Sequence, residues 1–126
     1  MRQRKSVLTE QELELMKIIW QRDSVTVRDV YESLLEHRKI AYTTVMTMMG
    51  ILQDKGYVTK AEGEKAHVYR PAQPKQQVVN HLVSDFVERV FNGSAKPLLM
   101  NLVESEKLSA RELDEISALL KRRAAK

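Results

Sequence analysis

Apolar positions along the 126-residue chain recur mostly at helical spacing, with one short stretch that alternates as a strand pair does. The run at 40–56, IAYTTVMTMMGILQDKG, organises the rest: Val45, Met48, Met49 and Leu52 fall at i, i+3, i+4 and i+7 and line one face of a helix. Gly56 predicts its end, because a glycine just past a helix takes the left-handed conformation without a Cβ clash. Two β-like runs follow, 57–61 and 66–70, joined by Glu62-Gly63-Glu64-Lys65. Two amphipathic helices precede. The first has Thr9 as N-cap, Glu12 at N3 and Leu8 against Leu13 as a staple, with Leu13, Met16, Ile19 and Trp20 as its buried face. The second repeats the device with Thr26, Asp29, Val25 and Val30, and buries Val27, Val30, Tyr31 and Leu34. Helix, helix, helix and hairpin is the order of a winged helix-turn-helix, and DNA recognition is the leading expectation.

Pro71 and Pro74 mark a change of composition and the expected boundary between a domain at 1–73 and another at 74–126. Beyond it the pattern is purely helical, so the fold class is mainly α with a small β wing. A helix over 75–91 carries Val79, Leu82, Val83, Phe86 and Val90 on one face and stops at Asn92-Gly93. A shorter one starts at Ser94 and buries Leu98, Leu99, Leu102 and Val103. The last has Ser109 with Glu112, Leu108 against Leu113, then Ile116 and Leu120, and ends in Lys121-Arg122-Arg123, cations suited to a helix C-terminus. Three short helices enclose too little surface to be stable alone. The economical arrangement is a two-fold homodimer in which they interlock through Leu82, Phe86, Val90, Leu98, Leu102, Leu113, Ile116 and Leu120. The competing arrangement is a monomer that folds them back on the first helix.

Composition narrows the field. A chain that is 43% hydrophobic and 30% charged is a folded one, and a net charge of +4 permits a polyanionic partner without demanding it. There is no cysteine, hence no disulfide, thiolate metal site or thiol nucleophile. MRQRKS runs into a capped helix without an apolar signal segment, and no window is apolar enough to span a membrane, so a cytoplasmic protein is expected. His37, His67 and His81 fall in different elements, and neither a metalloprotease His pair, a phosphate loop nor a serine triad is discernible. Neither an enzyme nor a cofactor or metal site is expected.

The presumed DNA face is unusual in its lack of charge. Between Thr43 and Gln53 there is no Lys or Arg, so bidentate guanine contacts from the helix interior are excluded. Readout falls to Thr43, Thr44 and Thr47, which otherwise serve as caps, and to apolar contact of Met46 with thymine methyls. Gly50 costs the helix roughly 1 kcal/mol relative to Ala, so either a neighbour packs against it or DNA backbone does; packing is the favoured reading. The basic arm of Arg2, Arg4 and Lys5 and the trio His37-Arg38-Lys39 have bland explanations, a solvated terminus and a helix-dipole partner, beside phosphate contact. In the wing, Lys60, Lys65, His67 and Arg70 are positive groups, while Glu62 and Glu64 argue against deep insertion of the turn.

LTEQELELMKIIW at 8–20, AYTTVMTMM at 41–49, L-x-x-K-G at 52–56, HVYRP at 67–71 and LLMNLVESEKLSARELDEI at 98–116 resemble the penicillinase-repressor (BlaI/MecI) family of winged-helix repressors. The resemblance implies a homodimer on an operator with TACA/TGTA-like half-sites, with Thr43, Thr44 and Thr47 toward bases, Arg28, Lys60, Lys65, His67 and Arg70 toward the backbone, and Tyr42 near the cap or a phosphate. It also implies a membrane-bound metalloprotease sensor that triggers cleavage in the dimerisation domain. The family's scissile Asn-Phe bond corresponds to Asn101-Leu102, where Leu replaces Phe. A copper-responsive branch relies on a cysteine cluster that this chain lacks, and Met46, Gly50 and Ile51 stand where relatives are polar or basic. Two other readings stay open: a winged-helix protein-interaction module, and a ligand-responsive regulator without proteolytic control.

Overall fold

The computed structural model describes residues 7–61 and 67–125. Among them the order is α1 (Glu10–Arg22), α2 (Val27–Leu35), α3 (Tyr42–Asp54), β1 (Val58–Ala61), β2 (Val68–Pro71), α4 (Lys75–Phe91), α5 (Ala95–Glu104) and α6 (Ala110–Ala124). This is the expected mainly helical winged helix-turn-helix followed by helices. The basic arm and the wing turn, Lys65 included, lie outside the described residues. Two compact units divide at Asn80 and His81, within α4. No described helix is long and apolar enough to cross a membrane.

In the first unit, both expected capping boxes close: the Thr9 hydroxyl accepts from the Glu12 amide and the Thr26 hydroxyl from the Asp29 amide, each at 3.1 Å, while the carboxylates return to the cap amides. The helices pack α1 on α2, α2 on α3, α1 on β2 and α3 on β1. Leu15, Met16, Ile19, Val30, Leu34, Val45, Met49 and Leu52 are sealed from solvent. Two details of the expected α1 face need correction. Leu15 is fully buried while Leu13 and Trp20 are only half-buried, because the buried stripe of α1 centres on Leu15, Met16 and Ile19.

The helix α3 ends in a full Schellman turn. Gly56 has φ +86, its amide donates to the Gln53 carbonyl at 3.0 Å, and the Tyr57 amide donates to the Leu52 carbonyl at 2.9 Å. Its start differs from expectation: Ala41 is the N-cap and no side chain caps it, so the threonines are not caps. The strands pair antiparallel with Val58 opposite Pro71 and Lys60 opposite Tyr69. A further antiparallel bridge was not foreseen. Val25 and Tyr69 exchange both main-chain hydrogen bonds, at 3.0 and 2.7 Å, which fastens β2 to the turn between α1 and α2.

The second unit, 81–126, is formed by the rest of α4 with α5 and α6. Ser109 and Glu112 close the expected capping box on α6, whereas Ser94 occupies the N-cap of α5 without a side-chain bond. No described residue of this unit is buried. Phe86, Val90, Leu99, Val103, Ile116 and Leu120 are all exposed within the single chain.

Candidate nucleic-acid interface

Burial of Val45, Met48, Met49 and Leu52 turns the other side of α3 outward, so that Tyr42, Thr43, Thr44, Met46 and Thr47 are exposed together. Thr47 is not a free donor. Its hydroxyl donates to the Thr43 carbonyl at 3.0 Å, which leaves its oxygen lone pairs and its methyl for anything that meets the face. Gly50 lies on the same side, and a Cβ built there meets nothing within 4 Å. The favoured expectation that a neighbour packs against it is therefore incorrect: α3 buries its opposite stripe, and no described segment crosses this one.

Beside the exposed face runs a groove of about 490 Å³ lined by Thr26, Val27, Arg28, Tyr42, Met46, Lys60, His67 and Tyr69. Five of the sequence-derived candidates, Arg28, Tyr42, Met46, Lys60 and His67, thus meet at one place, drawn from α2, α3 and the wing. No carboxylate is among the described lining residues. The Arg28 guanidinium lies 5.8 Å from the centre of the Tyr42 ring, and Tyr31 meets that ring edge-on with centroids 5.3 Å apart, so the aromatic pair steadies the cation. Glu32 reaches Arg28 only at 3.4 Å on an exposed surface, a weak competitor. Successive strand side chains alternate between faces, which puts His67 and Tyr69 on one side of the wing and Arg70 on the other. Arg70 is exposed but is not part of the groove.

Three features escaped the sequence reading. Tyr69 forms the floor of the groove, signalled only by its two-residue spacing from His67. His37-Arg38-Lys39 lies beyond the C-terminus of α2, and Arg38 is engaged by Glu14 at 2.8 Å, so the trio is neither a last-turn dipole partner nor three free cations. Glu12, 5% exposed, does more than cap α1: its carboxylate accepts from the Lys55 ammonium at 2.8 Å, and the same ammonium donates to the Val7 carbonyl at 3.0 Å. Burial alone pushes the Glu12 carboxyl up, but Lys55 and Thr9 outweigh it and hold it below its ordinary value. This link ties the C-terminal end of α3 to the start of α1 and fixes the direction of the exposed helix.

In the second unit, the expected cleavage position lies inside α5, with Asn101 exposed and Leu102 half-buried. The Asn101 carbonyl accepts from both the amide and the hydroxyl of Ser105, at 3.0 and 2.8 Å. The expected dimerisation residues divide between exposed (Phe86, Val90, Ile116, Leu120) and half-buried (Leu82, Leu98, Leu102, Leu113).

Comparison with known proteins accords with this geometry. The chain is 26% identical over 113 residues to the penicillinase repressor of Bacillus licheniformis, covering 90% of this chain and 88% of that protein. It is 33% identical over 108 residues to the transcriptional regulator BlaI of Mycobacterium tuberculosis, covering 84% and 77% of the two chains. The solution structure of the DNA-binding domain of the repressor BlaI superposes with a TM-score of 0.52 at 26% identity, covering 59% of this chain and 90% of that one. Residues 8–122 match the family described as Penicillinase repressor. With nearly the whole length matched, this chain belongs to the penicillinase repressor family of winged-helix transcriptional regulators, a family of repressors and not of enzymes.

Proposed function

We propose that the chain represses transcription by binding a palindromic operator as a homodimer, with α3 of each copy in the major groove. The observation that carries the reading is the exposed face of α3, uncharged from Tyr42 to Gln53, set beside a groove that presents Arg28, Lys60 and His67 with no carboxylate among its described lining residues. Thr43, Thr44, Thr47 and Met46 meet base edges and methyl groups, while Arg28, Tyr42, Lys60 and His67 hold the phosphate backbone. Arg70, on the other side of the wing, and Lys65 add positive charge toward the same phosphate backbone. The N-terminal domain, 1–73, is the DNA reader, and 74–126 supplies the two-fold contact.

The exposed apolar residues of α4, α5 and α6 support that contact, since α5 and α6 bury nothing and α4 buries only Val78, and helices so exposed need a partner. Induction, on this reading, is cleavage between Asn101 and Leu102 by a membrane-bound metalloprotease sensor. The cut separates two weak half-site readers that had shared one body, and affinity falls to that of one module. Because the Asn101 carbonyl is bonded twice within α5, the helix must unwind locally before a protease can bind the segment extended.

Sedimentation equilibrium and DNA binding at two salt concentrations test the reading. A dimer at micromolar concentration, with affinity for an inverted-repeat duplex falling steeply as salt rises, is expected from counterion release. A monomer, or binding indifferent to salt, overturns it and favours a protein-interaction module.

A further inference from the structure

We infer that Gly50 is where α3 approaches the DNA most closely, and that its missing side chain sets how deeply the helix seats in the groove. The inference rests on the reading of α3 as the DNA-contacting helix and names a residue that controls its fit.

A glycine in the middle of a helix weakens it, so its presence calls for a compensating use. Three uses are internal to a fold, and none applies here. The residue is not one of the glycines with positive φ. No described neighbour comes within 4 Å of a Cβ placed on it, so it does not admit another segment. The helix runs unbroken from Tyr42 to Asp54, so it is not a hinge between two helices. What remains is an object that meets the helix from outside.

The surroundings identify that object. Residues three and four apart are neighbours on a helix surface, so Gly50 sits beside Met46, Thr47 and Asp54, all exposed, and two turns from Thr43. The groove that shares Met46 presents Arg28, Lys60 and His67 with no carboxylate among its described lining residues, which suits a polyanion. Duplex DNA fits that charge. A second protein surface with ordinary mixed charge does not.

The chemistry of the face follows. The helix α3 carries no long cation to bridge a gap to the base edges, and Thr43 and Thr47 have short reach. They touch the groove floor only if the helix axis comes close, and a position without Cβ one turn beyond Thr47 allows it. A methyl group at Gly50 must find room at a carbon contact distance of roughly 3.5–4.0 Å, and it lifts the threonines away.

The test separates fold from fit. Gly50→Ala and Gly50→Leu are made in the full-length chain, along with the unaltered protein, and each is measured for denaturant stability and for anisotropy-detected binding to a duplex that the unaltered chain enriches from a random-sequence pool. Both replacements favour the helix, and Ala raises the folding equilibrium constant about fivefold. Affinity moves the other way, down about tenfold for Ala and about a hundredfold for Leu. Affinity that is unchanged or improved in a more stable Gly50→Ala protein overturns the inference and leaves the DNA reading intact. Failure of the unaltered chain to enrich any duplex overturns the DNA reading and the inference with it. Loss of stability together with affinity shows that Gly50 serves the fold, which also overturns the inference.

Discussion

Thr9 with Glu12 in the first unit and Ser109 with Glu112 in the second close the same capping box, the hydroxyl accepting from the N3 amide at 3.1 and 3.0 Å and the carboxylate accepting from the cap amide at 3.0 and 2.9 Å. The helices that follow then diverge. The first, α1, buries Leu15, Met16 and Ile19, whereas α6 buries nothing. Every buried hydrophobic among the described residues lies between Leu8 and Val78. Local signals therefore suffice to start and stop a helix in either unit, but only the first supplies a tertiary interior. In the second, apolar residues hold helical spacing and face outward, and that arrangement is stable when another surface covers them.

The contrast is open to direct attack. Ile19→Ala, in the sealed core, should lower folding stability by about 2–5 kcal/mol, measured by urea denaturation, and by the same amount at any protein concentration. Phe86→Asp should leave that transition in place and instead raise the dimer dissociation constant at least tenfold, about 1.4 kcal/mol, seen by sedimentation. A Phe86→Asp protein that unfolds like Ile19→Ala, with no change in association, erases the distinction between the units.

Glu12→Gln sharpens the comparison, because α6 has a capping box without the buried ion pair. It should cost about 1–2 kcal/mol by urea denaturation at neutral pH through loss of the charge-assisted bonds to Lys55 and the cap amide. The Glu12 carboxyl is held below its ordinary value in the fold, so its stabilisation is complete above the unfolded value of about 4.5 and vanishes as pH falls through the lower folded one. The gap between native and Glu12→Gln proteins should therefore close in acid. Ser109→Ala, the smallest effect, should lower helicity of the second unit by circular dichroism with a cost of about 1 kcal/mol. Ser105→Ala frees one of two bonds on the Asn101 carbonyl and should speed limited proteolysis in α5 a few-fold; an unchanged rate means that helix opening does not control access.

What the sequence makes legible is whatever neighbouring residues decide among themselves. The boxes at Thr9, Thr26 and Ser109, the left-handed Gly56 and the stripe of Val45, Met48, Met49 and Leu52 are all encoded within a few residues, and all appear in the structure. The pieces that went unread depend on residues far apart. The Lys55 to Glu12 link spans 43 positions, and the Val25 to Tyr69 pair joins segments with two helices between them. Arg38 looked like a dipole partner because Glu14, 24 positions earlier, gives no local sign of approaching it. The groove was half legible: its cations are conspicuous as residues, but the separation of Arg70 from Lys60 needs the strand register.

The bond pair between Val25 and Tyr69 carries a consequence for how such a reader diversifies. It is made of peptide groups, so it holds the hairpin to the turn ahead of α2 without drawing on either side chain, and both side chains are left to pack in the interior. The backbones that carry Arg28 and Lys60 are thereby held in one register, like the jaws of a caliper. On the proposed reading, residues on α3 can then drift toward a new target sequence without disturbing the two cations that grip the duplex.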